Sequence, residues 1–205
     1  MRGRPPYPPT VGDDRILLRE FLRAPTRVAT VTASSDALVA AMIAPLAIGD
    51  ETVVVELGAG TGRVTEALQR RLGGRGRHVA IEINAVLAER LATRHPAVTV
   101  VCADAAELPV VLRTHGVAKA DAISSLLPWV AYAGAPIPAI AAAALAPTGT
   151  FTQASLWLTH LLPPARRQER DLRAAFGDVS VSPVVWRNLP PARVLAARSP
   201  APLSV

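Results

Sequence analysis

The chain is expected to fold as an α/β protein on a doubly wound, mostly parallel sheet of seven strands that ends in a C-terminal antiparallel hairpin. Three observations predict this. Short apolar runs alternate with amphipathic stretches of helix length through most of the chain, the pattern of a parallel sheet covered by helices on both faces. A glycine-rich turn, Gly58-Ala59-Gly60-Thr61-Gly62, lies between the first such run and the helix after it, where sheets of this kind bind ligands. The last two strand-like runs, 180–186 and 194–198, are separated only by Asn188-Leu189-Pro190-Pro191, so they read as a hairpin.

The elements follow in order. Residues 1–10 hold Pro5, Pro6, Pro8 and Pro9 with Arg2 and Arg4; they offer almost nothing to bury and are expected to be a flexible arm. Residues 11–48 are expected to form N-terminal helices that face the membrane or close as a lid, the basic segment 15–23 lying on an anionic bilayer or packing over the cofactor cleft. Within them, Ile16, Leu17, Phe21 and Leu22 alternate with Arg15, Arg19, Glu20 and Arg23 in an amphipathic pattern with a basic face. Ser34-Ser35-Asp36 supplies an N-cap for an apolar helix that ends near Ile43. The sheet domain takes 49–205. Its strands are expected at 52–57, 78–83, 98–102, 121–124 and 149–158, before the hairpin. Its helices are expected at 63–72, closed by Gly73-Gly74; at 85–94, stopped by His95-Pro96; at 137–145; and at 165–176, which is rich in arginine.

Bulk composition bounds the function. A chain of 205 residues, half of them apolar, buries a sizeable core in one domain. The net charge of +6 favours an anionic partner, although scattered arginines also serve solubility alone. Cys102 is the sole cysteine, which excludes an internal disulfide and a cysteine metal cluster and fits a reducing cytoplasm. Its place in an apolar run predicts a small buried residue. No metal is expected. No signal-peptide core and no spanning apolar stretch are legible, so the expectation is a cytoplasmic protein with at most a peripheral hold on the inner membrane face.

The chemistry concentrates at 53–65. Glycines 58, 60 and 62 let backbone approach a ligand and open the N-terminus of the next helix toward it. A nicotinamide fingerprint needs its third glycine where Arg63 stands, and a Walker loop needs a Gly-Lys-Ser/Thr that does not follow. What is present is an acid in front of the glycines, Glu56, a second at the end of the next strand, Glu82, and a third after the strand beyond, Asp104.

With these residues the sequence resembles the class I S-adenosylmethionine-dependent methyltransferases, whose Rossmann-like fold is the one described. The resemblance implies roles. Glu56 would hold the methionine ammonium, and the Leu57, Gly58, Ala59, Gly60, Thr61, Gly62 turn its carboxylate. Glu82, with Ile83 beside it, would accept the ribose hydroxyls, and Asp104, with Ala105, would meet the adenine amino group. Ser125, Pro128 and Trp129 would lie near the transferred methyl, Ser125 also touching the cofactor, and S-adenosylhomocysteine would be the product. The segments 21–25, 32–42 and Val184-Val185-Trp186-Arg187-Asn188-Leu189-Pro190-Pro191-Ala192 further resemble the bacterial phosphatidylethanolamine N-methyltransferases of the soluble, peripheral type, relatives of the rRNA adenine dimethyltransferases. One departure is Ser125-Leu126-Leu127-Pro128, where that family tends to place glycine at Leu126, which could narrow or reshape the acceptor pocket.

Alternatives stay open at several positions. Arg187 and Asn188 can grip a headgroup phosphate or simply hold a hairpin turn. Ser34 and Ser35 can touch cofactor or headgroup, or cap a helix. Trp129 and Tyr132 can face a methylated cation or pack in the core. His78, His95, His115 and His160 each lack a convincing partner in sequence, with His160 the first to inspect. An anionic phospholipid surface is the favoured partner and nucleic acid the weaker one, because no asparagine precedes Leu126-Leu127-Pro128-Trp129 to hold a flipped base. The alternative acceptors are a small soluble molecule or rRNA adenine N6. No obligate protein partner is inferred.

Overall fold

The computed structural model describes residues 34–128, 131, 134–157 and 163–201. The arm at 1–10, the basic segment at 15–23, Trp129, Tyr132 and His160 lie outside the described residues. The elements are α1 (Asp36–Ile43), β1 (Val53–Leu57), α2 (Arg63–Leu72), β2 (Arg77–Glu82), α3 (Ala85–Arg94), β3 (Thr99–Cys102), a short 3₁₀ turn (Ala105–Glu107), α4 (Leu108–Thr114), β4 (Ala120–Ser125), α5 (Ile137–Ala144), β5 (Leu145–Leu156), α6 (Pro163–Ala175), β6 (Phe176–Val181) and β7 (Ala192–Pro200).

The seven strands form one sheet in the order β3-β2-β1-β4-β5-β7-β6. β1 to β5 run parallel, while β7 is antiparallel to both β5 and β6. The chain moves outward from β1 to β3 on one side and from β4 to β5 on the other, with β6 at the far edge and β7 inserted between β5 and β6, so the switch point lies between β1 and β4. There Leu57 is in register with both Ile81 and Ser125, and the carboxyl ends of three strands open on one rim.

Strand pleating sorts the side chains by period two. On one face Val55, Leu57, Val79, Ile81 and Ile123 pack with Leu108, Val111, Leu112, Ile137 and Ala141 from α4 and α5. On the other face Val54 and Ala122 meet Val39 of α1 and Val64, Leu68 and Leu72 of α2, while Leu38 and Met42 of α1 cover Ala192 and Val194 of β7. α1 therefore packs against the sheet as part of its core. Local chemistry sets the helix ends. Ser35 Oγ accepts the Leu38 amide at 3.2 Å to cap α1, and Asn84 Oδ1 accepts the Val86 and Leu87 amides to cap α3. Among the described residues no helix is long and apolar enough to cross a membrane.

Four expectations change. Cys102 is exposed rather than buried, because β3 is the sheet's edge and its outer end has little cover. The segment 103–119, read without structure, holds the 3₁₀ turn and α4, whose Leu108, Val111 and Leu112 recur at helical spacing. The hairpin is real but shifted: β6 begins at Phe176, where α6 stops, and 182–191 is the connection. Phe176 stacks on Phe151 of β5 with centroids 5.8 Å apart, which fixes the earlier start. β5 likewise begins at Leu145, ahead of the expected 149.

Candidate active site

Glu56 sits on β1 with its side chain toward α2, on the face shared by Val54, and is fully buried. Its Oε2 accepts the Thr65 hydroxyl at 2.6 Å and lies 3.4 Å from His78 Nε2, close enough for attraction but outside hydrogen-bonding geometry. His78 in turn meets Gln69 through Nδ1 at 3.0 Å. Pleating explains the group: His78 of β2 is in register with Val54, so its side chain falls on the Glu56 face, where α2 supplies Thr65 and Gln69 in adjacent turns. Glu56 Oε1 is buried with no hydrogen-bond partner.

The turn after β1 is pinned to β2. The Gly58 amide donates to Ile81 O at 2.9 Å, and the Gly62 amide donates to Ala59 O at 2.9 Å. Glu82, buried at the end of β2, takes the Gly60 amide on Oε2 at 2.8 Å and the Asn84 amide on Oε1 at 2.9 Å. Burial pushes the Glu82 carboxyl above the ordinary glutamate value; the Asn84 and Gly60 amides oppose that, and the Glu56 charge adds to it. His95, against the Gly62 turn, is pushed down by burial and by Arg94. α2 begins at Arg63 directly behind the turn, so its first-turn N–H groups, which have no intrahelical acceptor, open at the same loop.

The remaining acids and loops complete the rim. Asp104 is exposed after β3, and its Oδ1 accepts the Ala106 amide at 2.8 Å while Glu107 Oε1 accepts the Asp104 amide at 3.1 Å, a reciprocal cap. Ser125 is buried at the end of β4, its Oγ 3.4 Å from the Leu127 amide. Pro128 is half-buried beyond it. Ile83, next to Glu82, is an exposed apolar side chain.

Glu56, Gly58, Gly60, Gly62, Glu82, Asp104 and Ser125 are thus brought to the carboxyl ends of β1 to β4. Leu57, Ala59 and Ala105 point elsewhere: Leu57 and Ala105 are in the α4/α5 core and Ala59 packs with Ala80 and Leu91, so only their backbone is on hand for a ligand. The Leu126 side chain packs away from the glycine turn. It fills the seam between α1 and the sheet, against both core clusters there, and it is Leu127 that approaches Gly58.

The headgroup residues divide. Asn188 is buried, with Oδ1 accepting the Ser35 amide at 2.9 Å and Nδ2 donating to Pro190 O at 2.7 Å, so its amide is committed to the turn rather than to a phosphate. Ser35 spends its hydroxyl on the α1 cap, Ser34 is half-buried beside it, and Arg187 is exposed. Sequence reasoning missed Thr65, Gln69 and the pairing of His78, whose signal was the alternation of His78 with Ala80. It also missed Gln153, fully buried on β5 opposite Ser125. Gln153 Nε2 donates to Leu127 O at 3.1 Å and Ala154 O at 2.7 Å, tying the loop after β4 to the sheet.

The rim fits an amino-acid nucleoside. The unpartnered Glu56 Oε1 matches an ammonium. A Cβ at Gly60 would come no nearer to protein than 4.0 Å, so glycine is not required there by packing; its φ of +55° and the space over the turn are what it supplies.

Known proteins agree with this geometry. A family model described as a methyltransferase domain matches residues 54–149. Solved structures of the same fold include a precorrin-6Y C5,15-methyltransferase from Geobacter metallireducens, at 17% identity and TM-score 0.57 over 78% of this chain and 87% of that one. A S-adenosylmethionine-dependent O-methyltransferase from Thermotoga maritima reaches TM-score 0.61 at 16% identity, over 91% of this chain and 72% of its own. Fibrillarin from Aeropyrum pernix, solved with natively bound S-adenosylmethionine, gives 0.59 at 18% identity, over 78% and 73%. The chain belongs to the class I S-adenosylmethionine-dependent methyltransferases. Within that class it is similar to an ornithine lipid N-methyltransferase of Singulisphaera acidiphila, 30% identical over 194 residues that cover 86% of this chain and 91% of that relative.

Proposed function

We propose that this methyltransferase acts on the amine nitrogen of a membrane lipid headgroup, phosphatidylethanolamine or its mono- and dimethyl forms being the preferred acceptors. The observation that carries the reading is the near full-length similarity to a methyltransferase named for a lipid amine. The resemblance of residues 184–192 to the phosphatidylethanolamine enzymes supports the choice of headgroup.

Bound S-adenosylmethionine supplies an activated methyl on sulfur, so the protein has little covalent work to do. Its residues bind, orient and exclude water. Glu56 Oε1 accepts the ammonium, with Thr65 and His78 fixing the other oxygen. Glu82 accepts the ribose hydroxyls from a carboxylate already oriented by two backbone amides. Ile83 offers an apolar face and Asp104 a carboxylate to the adenine. Ser125, Pro128 and Trp129 orient the acceptor, with Gln153 tied to Leu127 between the first two. An ammonium headgroup must shed one proton, to bulk water before it binds or to a nearby base, before its lone pair can react.

The test offers labelled S-adenosylmethionine with vesicles containing phosphatidylethanolamine, vesicles containing ornithine lipid, and ribosomal RNA in parallel. Label is expected in the lipid extract, faster into phosphatidylethanolamine. Label in ornithine lipid alone overturns the headgroup choice, and label in RNA alone overturns the lipid reading.

A further inference from the structure

The connection from β6 to β7 displays the two most exposed large apolar side chains among those described, Leu189 at 75% and Trp186 at 68% of full exposure. Arg187, also exposed, stands between them in sequence. This display is held by a built support. Val185 and Ala192 pair as an isolated bridge, and the Val185 amide donates to Ala192 O at 2.7 Å. Asn188 is buried beneath the tip, joined to Ser35 and Pro190. The Trp157 amide donates to Pro191 O at 2.9 Å, and the Trp157 and Trp186 rings meet edge-on at 6.4 Å. Folding normally hides such side chains; here the buried residues of the loop anchor a short scaffold that leaves two of them facing outward.

The tip's position gives it meaning. β5 runs parallel to β4, so its end at Leu156 lies at the carboxyl rim. Ala192 starts β7 opposite Leu156. The 182–191 connection therefore stands on the same rim as the cofactor turn, and Ser35 bonds it to α1, whose Asp36 reaches Arg63 at the start of α2 at 2.5 Å. A lipid amine can reach that rim only if the rim faces the bilayer.

We propose that Trp186 and Leu189, with Arg187 between them, are the element that docks this rim on an anionic lipid bilayer. This rests on the lipid-amine reading above. Tryptophan favours the interfacial zone, where its ring is buried and its N–H stays wet. Leucine enters the acyl boundary beside it, and the guanidinium stays at the depth of the phosphates. The net charge of +6 adds a longer-range attraction that salt screens.

The test is co-sedimentation with vesicles of phosphatidylglycerol and phosphatidylethanolamine, using the full chain and the double variant Trp186→Ser/Leu189→Ser. The variant is expected to partition at least about tenfold more weakly, the effect of withdrawing two partly inserted apolar side chains from the interface. Its cofactor affinity, and its methylation of a short-chain ethanolamine lipid kept below the micelle threshold, should stay within about twofold of the parent. Acyl-brominated lipid should quench the parent's fluorescence more than that of Trp186→Phe, which should still bind. Vesicle binding equal to the parent's overturns the proposal. So does a parent that ignores vesicles, or a variant whose only change is from dimer to monomer, which would make the tip a protein contact. If the parent fails to methylate even the dispersed lipid, it is the lipid-amine reading that falls; if it methylates and the variant still docks, the docking element alone is wrong.

Discussion

Replacing Glu82 by alanine removes both the ribose acceptor and the clamp on the glycine turn. The carboxylate receives the Gly60 amide at 2.8 Å and the Asn84 amide at 2.9 Å, and hydrogen bonds to a charged group contribute about 1.5–3 kcal/mol each. Not all of that is recovered on folding, because burial holds the Glu82 carboxyl above its ordinary value and so opposes the charged form. A loss of about 1–3 kcal/mol in stability is therefore expected in urea unfolding. Cofactor binding loses the ribose contacts and the preformed turn together, and the dissociation constant for S-adenosylmethionine is expected to rise by at least about tenfold, or ~1.4 kcal/mol. Titration calorimetry on the folded variant reads this directly. Glu82→Gln, which keeps one accepting oxygen, should fall between. A folded Glu82→Ala protein that binds within about twofold of the parent would remove Glu82 from the site and refute the reasoning.

Other consequences follow from the same contacts. As pH falls through the raised Glu82 value, the carboxyl gains a proton and loses an accepting site, so cofactor affinity should weaken at a pH above the usual glutamate range. The same raised value has the opposite effect on the empty protein: ionising Glu82 costs more in the folded than in the unfolded chain, so stability is highest at acid pH and declines, without losing the two amide bonds, as pH rises through the folded-state value. Affinity and unfolding curves across that range should show both trends, and Glu82→Gln should flatten both. Glu56→Gln should weaken S-adenosylmethionine by about tenfold while leaving 5′-methylthioadenosine, which has no ammonium, nearly unaffected; equal weakening of both ligands would deny Glu56 its partner. Asn188→Ala removes the side-chain amide that accepts the Ser35 N–H and donates to Pro190 O and should lower stability by about 1–3 kcal/mol. Unchanged stability with lost lipid methylation would instead restore Asn188 to the headgroup.

How much of this was legible in the sequence depended on how local each signal was. Glu56, the glycines and α2 form a single strand-turn-helix unit, Glu82 ends one strand that the apolar runs mark and Asp104 follows another, so their place on the carboxyl rim was legible without the structure. β6 was misplaced because it is an edge strand whose residues are mostly exposed, so period-two alternation is weak there. The apolar run at 183–186 looked more like a strand than the strand did. Cys102 was misjudged for the related reason that a short apolar run does not reveal which strand lies at an edge. His78 needed pleating, register and α2 together to meet Glu56. Leu126 stood at a position where a family glycine suggested a pocket wall, and only the packing of α1 shows that it fills a seam. Asn188 had two readings in sequence, and its burial and its bonds to Ser35 and Pro190 support the turn.

The most direct test of the account as a whole is the mass of the lipid after incubation with the full chain and S-adenosylmethionine, comparing vesicles whose headgroup is ethanolamine with vesicles whose headgroup is already choline. Methyl increments confined to the ethanolamine headgroup, and absent from choline, are the expected result. Unaltered ethanolamine lipid, or methyl groups found on the acyl chains instead, would contradict it.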